Sequence, residues 1–244
     1  MLFKSKVKYI QSLSHKRQRD KDGVFVAEGP KIINELLSAK EVELVEIYAV
    51  PAMIGILNAG PSKVIEIDNR SLETISFLST PNQVLGIFRK PVSHVLNFNG
   101  SISIMLDNIQ DPGNMGSIVR CADWFGVKQI ICSKDCADVF SPKTVQSTMG
   151  SIARVHVVYD DLARVLTSNP AIHAYAATLE GQSIYETGSL KEGIIVIGNE
   201  SKGISPGILS LVKNRITIPR KGKAESLNAA VAAGIILSHL VSRS

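Results

Sequence analysis

The chain has 244 residues, 45% apolar and 20% charged, which suits one large or two modest globular cores at ~100–200 residues per domain, while 5% aromatic content leaves few stacking platforms for sequence-tolerant single-strand binding. Its net charge of +5 is gathered at one end: residues 1–31 hold eight Lys or Arg (Lys4, Lys6, Lys8, Lys16, Arg17, Arg19, Lys21, Lys31) against Asp20, Asp22 and Glu28, whereas the remainder carries nineteen of each sign. A charge run of this kind is either a solvated helix face or an electrostatic footprint for RNA or DNA, and the concentration of the whole excess in one place points to the second.

In chain order, the first ~20 residues read as a basic helix ending at Gly23, followed by a strand at Val24–Ala27 and a helix at Pro30–Ala39, whose proline suits a first turn. Val42–Val50 and Lys63–Ile67 read as strands separated by a Gly60-Pro61 loop, Leu72–Leu78 as a short helix and Val84–Phe88 as a strand. The stretch Arg89–Gly100 has the composition of a connector. It divides the chain into a small N-terminal α/β domain, residues 1–95, and a larger domain, residues 96–244.

In the larger domain strands and helices alternate. Ile102–Leu106 is a strand and Asn114–Phe125 a helix with Ile118, Ala122 and Phe125 on one face, closed by Gly126. Gln129–Cys132 is a strand, and Ser141-Pro142 opens a helix in the favoured cap-then-proline order, with Val145, Met149 and Ile152 on its buried side. Strands at Arg154–Val158, Ala171–Ala177, Gly193–Ile197 and Arg215–Ile218 then alternate with helices at Leu162–Leu166, Ser205–Val212 and Ser226–Val241. The pattern predicts an α/β fold, a mostly parallel sheet with helices on both faces.

Several chemistries find no support. Cys121, Cys132 and Cys136 are odd in number, and the last two have three residues between them, so neither a disulfide framework nor a zinc site follows. No apolar run is long enough to span a bilayer, and Met1–Asp22 lacks the apolar core of a signal peptide, so a cytosolic protein without a membrane partner is expected. In the cytosol the Asn199-Glu-Ser201 sequon has no meaning. The glycines at 198 and 203 have phosphate-loop spacing, but Ile204 stands where the lysine belongs, and the three spaced glycines of a dinucleotide site are missing.

Three polar clusters fall at strand ends, where open α/β sheets bind ligands. They are Asp107–Arg120, with Pro112-Gly113 forcing a turn before Asn114; Gly198–Gly203; and Pro219–Asn228. Taken singly, Asn114 reads as a helix cap, Arg120 as a surface side chain, Ser226 and Asn228 as a cap and its neighbour, and Leu227 and Val231 to Leu240 as core. Together the segments NMGSIVR, IVIGNESKGIS and IPRKGKAESLNAAVA resemble, in order and spacing, the three motifs of the SpoU (TrmH-like) branch of the SPOUT RNA methyltransferases. Upstream, GVFVAEGPKIINELL and STPNQVLGIF resemble the family's small N-terminal RNA-binding, L30e-like domain.

The resemblance implies a C-terminal trefoil knot, unusual among folds, holding S-adenosylmethionine, with S-adenosylhomocysteine as product and no metal. It implies an RNA ribose 2′-O-methyltransferase acting as a homodimer on a structured RNA, ribosomal or transfer. Carried over, Gly198, Ile218 and Leu227 contact the cofactor, with Thr178 and Gly203 nearby. Arg120 assists the acceptor hydroxyl, electrostatically rather than as a base because guanidinium resists deprotonation. Asn114, Glu200, Ser226 and Asn228 orient it and the substrate, and Lys16, Arg17, Arg19 and Lys31 contact RNA. None of the five histidines matches a motif. Ala229-Ala230 and Arg220 depart from the common pattern. An inactive RNA-binding protein of the same fold, a base-methylating relative and a flavodoxin-like binding protein are the alternatives.

Overall fold

The computed structural model describes residues 2–60, 63–92 and 95–241, so Pro61 of the expected loop and part of the expected connector lie outside the described residues. The chain folds as two compact units, Met1–Val92 with Asp138–Ala153, and Ser93–Ala137 with Arg154–Ser244.

The first unit opens with α1 (Lys4–Ser12) and α2 (Lys16–Asp22), where the sequence reads as one helix. Arg19 accounts for the break. Its Nη1 donates to the carbonyls of Leu13 and Ser14, both at 2.7 Å, which diverts them from helical pairing. Its Nη2 pairs with Asp138, and the residue is only 2% exposed. This corrects the assignment of Arg19 to RNA contact, because a guanidinium enclosed by these partners cannot reach a phosphate. Lys16, Arg17 and Lys31 are exposed.

Four strands, β1 (Val24–Glu28), β2 (Leu44–Ala49), β3 (Val64–Glu66) and β4 (Val84–Arg89), form a sheet in the order β1-β4-β2-β3. β4 runs antiparallel to β1 and β2, while β2 and β3 are parallel. Helices α3 (Pro30–Ser38) and α4 (Asn69–Ile75) also belong to this unit, the latter capped by Asp68. All five β1 residues are buried, and Phe25 stacks on Phe88 at 5.8 Å and meets Phe140 at 5.2 Å. Among them Glu28 accepts hydrogen bonds from Ser76 Oγ and Phe77 N. Burial pushes its carboxyl above the ordinary range, and these two bonds only partly offset it.

In the second unit all ladders are parallel. The strands are β5 (Ile102–Asp107), β6 (Gln129–Cys132), β7 (His156–Tyr159), β8 (Ala174–Ser183), β9 (Gly193–Gly198) and β10 (Asn214–Thr217), in the sheet order β10-β8-β9-β5-β6-β7. The α/β class expected from the alternation therefore holds. The helices are α5 (Pro112–Trp124), α6 (Pro142–Thr148), α7 (Leu162–Ser168), α8 (Pro206–Leu209) and α9 (Ala229–Leu240). Of these, α6 lies in the Asp138–Ala153 excursion and packs on β1 in the first unit, which sequence alternation alone does not reveal. Central β5 is wholly buried, as a two-face-covered parallel strand must be, and its Ser103 accepts from Gln129 Nε2 at 2.6 Å. The three cysteines are free thiols.

Two stability outcomes follow. Asp138→Ala strands a buried guanidinium and should cost about 3–5 kcal/mol in urea unfolding, against at most about 1 kcal/mol for the exposed pair partner in Lys16→Ala. Glu28 has a raised folded pKa, so its stabilising contribution is complete below the unfolded carboxyl value of about 4.3 and is lost as pH rises through the folded value. Glu28→Gln should therefore flatten the fall in unfolding midpoint as pH rises above the unfolded carboxyl value.

Candidate active site

In a parallel sheet the carboxyl ends of the strands share one edge, and here the ends of β10, β8, β9 and β5 are neighbours along it. After β5, Asp111 caps α5 by accepting from Asn114 N at 2.8 Å, with Pro112 in the first turn. Asn114 is thus not the cap, contrary to its reading from sequence alone. The Asp111-Pro112 pair carries the same cap-then-proline signal as Ser141-Pro142, which also caps its helix. Released from capping, the Asn114 amide uses both its ends. Its Nδ2 donates to Glu200 Oε1, and its Oδ1 accepts from Asn228 Nδ2 at 2.8 Å. Asn228 in turn caps α9, its Oδ1 accepting from Ala230 N at 3.0 Å and Val231 N at 3.2 Å. Three residues from three expected motifs therefore join in one hydrogen-bond chain.

Between β9 and α8, Asn199 and Gly203 exchange backbone hydrogen bonds of 3.1 and 2.9 Å, closing a tight loop. Gly203 sits at φ +68°, and a Cβ on Gly198 would lie 2.3 Å from the Gly203 carbonyl carbon and the Ile204 nitrogen, so both positions require glycine. Asn199 shapes the loop from within. Its Oδ1 accepts from Ser201 N and Lys202 N at 2.9 and 3.1 Å, while its Nδ2 donates to Asn108 O at 3.0 Å. Buried Asp107 anchors the far side by accepting from Ser205 N at 2.7 Å. Sequence reasoning missed Asn199 and Asp107. An asparagine followed by two polar residues is an Asx-turn signal that points to the first; the Asp107 bond spans 98 residues and leaves no local trace.

β8 and β10 pair through a jump in register, Arg215 opposite Ala176 and Ile216 opposite Gln182, so residues 177–181 bulge from the sheet. Thr178 lies in this bulge, its Oγ1 donating to Glu180 O, and Thr217 Oγ1 donates to Leu179 O. Ile218 is half-buried just past β10, and residues 219–228 are exposed throughout. Leu227 at 45% and Val231 at 50% exposure correct their reading as core: α9 buries Ala233, Ile236, Leu237 and Leu240 instead. Leu179 stands 72% exposed. Thr178 in the β8 bulge, Gly198 at the end of β9, Gly203 in the loop that follows, and Ile218 and Leu227 beyond β10 thus lie on or just past three neighbouring strands. The open backbone at Gly203 and the exposed Leu179 and Leu227 side chains leave room for a ligand against these strand ends. No group of three or more metal-ligating side chains occurs among the described residues.

Arg120 and Ser226 are not drawn into the cluster. Arg120 follows Asn114 by six positions, which puts the two side chains about 120° apart around α5 at about 100° per residue. It is exposed on the face that also carries Trp124, 83% exposed four residues on. Among the described residues no side-chain hydrogen bond or ion pair within the chain engages Arg120 or Ser226.

Residues 101–238 match the model of the SpoU rRNA Methylase family, and residues 4–86 match that of an MRM3-like substrate binding domain. A 23S rRNA (guanosine(2553)-2′-O)-methyltransferase of Bacillus subtilis is 28% identical across 96% of this chain and 95% of its own. A TrmH-family protein from Porphyromonas gingivalis superposes with a TM-score of 0.89 at 33% identity, covering 100% of both chains. An AdoMet-bound rRNA methyltransferase from Sinorhizobium meliloti gives 0.86 at 29% identity, covering 99% and 97%.

The crowding at Gly198 has a direct test. Gly198→Ala should cost about 1–3 kcal/mol by overpacking and lower the melting temperature by several degrees, whereas Gly207→Ala, whose added methyl meets nothing within 4 Å, should change it little.

Proposed function

The chain belongs to the SpoU rRNA methylase family and is an S-adenosylmethionine-dependent RNA methyltransferase, and from that premise we propose that it methylates a ribose 2′-hydroxyl of ribosomal RNA as a homodimer. The observation that carries the reading is the Asn114–Glu200–Asn228 hydrogen-bond chain, beside loops suited to the cofactor. Its intact polar members argue against an inactive RNA-binding protein of the same fold.

In this reading Gly198, Ile218 and Leu227 hold the cofactor by contact, with Thr178 and Gly203 beside them. Bound S-adenosylmethionine supplies a methyl group made electrophilic by its sulfonium. The protein's task is to hold a neutral hydroxyl, a poor nucleophile, in line with that methyl and to stabilise the charge that develops as its proton leaves. Arg120 supplies the positive charge without becoming a base. Asn114, Glu200, Ser226 and Asn228 orient Arg120 and the acceptor.

Two features support a homodimer. Arg120 faces away from Asn114 on its own helix, which suits it to serve the site of a second copy, and exposed Trp124 shares that face. A C-terminal trefoil knot is also part of the reading. Supporting it, β10 lies at the sheet edge beside β8, while the α9 that follows returns to pack on α5 and β9. The N-terminal domain captures RNA through Lys16, Arg17 and Lys31.

Incubation with methyl-labelled S-adenosylmethionine and ribosomal RNA, then digestion to nucleosides, should place label in a ribose-methylated nucleoside; label in a base would overturn the 2′-O assignment. Arg120→Ala should lower kcat by about 10²–10³-fold with cofactor binding kept. Mixing inactive Arg120→Ala and Asn228→Ala subunits should restore part of the activity if each site draws on two copies, and none if one chain suffices.

A further inference from the structure

The second unit has a basic focus of its own. Residues 200–228 hold six Lys or Arg (Lys202, Lys213, Arg215, Arg220, Lys221, Lys223) against Glu200 and Glu225. Outside this segment and residues 1–31, the chain carries thirteen cations against seventeen acids, so the even balance beyond residue 31 hides two opposite parts. All six cations are exposed, and among the described residues none forms an ion pair. Of the two acids, Glu200 is engaged by Asn114.

Three of the six occupy positions 220, 221 and 223, within the exposed segment 219–228. The Arg220 guanidinium donates to Ala224 O at 3.2 Å, closing the stretch on itself and leaving Lys221 and Lys223 between the joined ends. The segment then runs into Asn228, which is tied through Asn114 to Glu200, two residues from Lys202. Lys223 precedes Asn228 by five positions, so its Cα lies within roughly 17 Å of the Asn228 Cα even in a fully extended chain. A single carboxylate on a small ligand needs one cation; several unpaired cations beside a site match a polyanion, whose phosphates displace counterions from them.

We infer that Arg220, Lys221, Lys223 and Lys202 form a phosphate-binding surface for the RNA strand flanking the acceptor nucleotide, a second RNA contact besides the N-terminal basic segment. It rests on the RNA-methylating reading above, and it gives Arg220, the departure from the common motif, a task in RNA rather than cofactor recognition.

The test is fluorescence anisotropy of the full chain with a large-subunit rRNA transcript over a range of salt, for wild type and Lys221→Gln/Lys223→Gln. Each lost phosphate contact should reduce the slope of log affinity on log salt by about 0.7 for a single strand, so the double variant should lose about 1.4. Its KM for RNA should rise about tenfold or more while its cofactor affinity stays that of wild type, and Lys221→Arg/Lys223→Arg should restore the slope. An unchanged slope would overturn the inference, as would a loss of cofactor affinity with RNA binding intact, which would assign these cations to the small ligand. If the wild type binds the transcript but labels a base or nothing, the 2′-O reading falls while the slope difference still decides the phosphate surface. A wild type that binds no RNA overturns both.

Discussion

The catalytic unit turns on one side-chain amide. Asn114 lies in the first turn of α5, where its backbone NH would ordinarily call for a local cap, and Asp111 meets that need. The side chain is thereby free to bridge two segments that lie 86 and 114 residues away in sequence. An amide donates at one end and accepts at the other, so it can serve a carboxylate and a second amide at once. Glu200 takes the donor end, and Asn228 supplies a proton to the acceptor end while its own Oδ1 is occupied by Ala230 N and Val231 N.

The geometry works because the scaffold beneath it is stiff. β5 is buried on both faces and pairs with β9 over its whole length, Asp107 opposite Gly198. The Asp107 carboxylate and the Asn199 amide then fix the loop that presents Glu200 from both sides. Glycine at 198 lets the Gly203–Ile204 backbone approach more closely than any side chain would permit. These constraints belong to backbone and buried polar groups, so the exposed side chains around them are left to ligands.

Charge is divided in the same spirit. In the first unit one arginine of the basic run, Arg19, is consumed by the fold itself, joining α2 to the Asp138–Ala153 excursion. Its neighbours Lys16 and Arg17 remain at the surface. In the second unit Lys202, Arg220, Lys221 and Lys223 stand exposed within the polar segments themselves. Two basic foci on an otherwise acidic chain favour a long polyanion over a small anionic ligand.

Much of this was legible without coordinates. Apolar periodicity and the turn residues located most strands and helices to within a few residues, missing the break between α1 and α2 and the bulged extension of β8 to Ser183, and the ordered polar segments pointed to Asn114, Glu200 and Asn228. What periodicity could not supply was the partner of each polar group. Arg19 reads as one more cation in a basic run, yet lies buried; Leu227 and Val231 read as core, yet are exposed; α6 reads as one helix in an alternation, yet packs on the sheet of the first unit. The sequence by itself determined which elements form and which residue types stand at strand ends, because those depend on neighbours a few positions away. Only the tertiary structure decided which side chains were satisfied inside the protein and which were left for a ligand, because that depends on hydrogen bonds and packing between residues about a hundred positions apart.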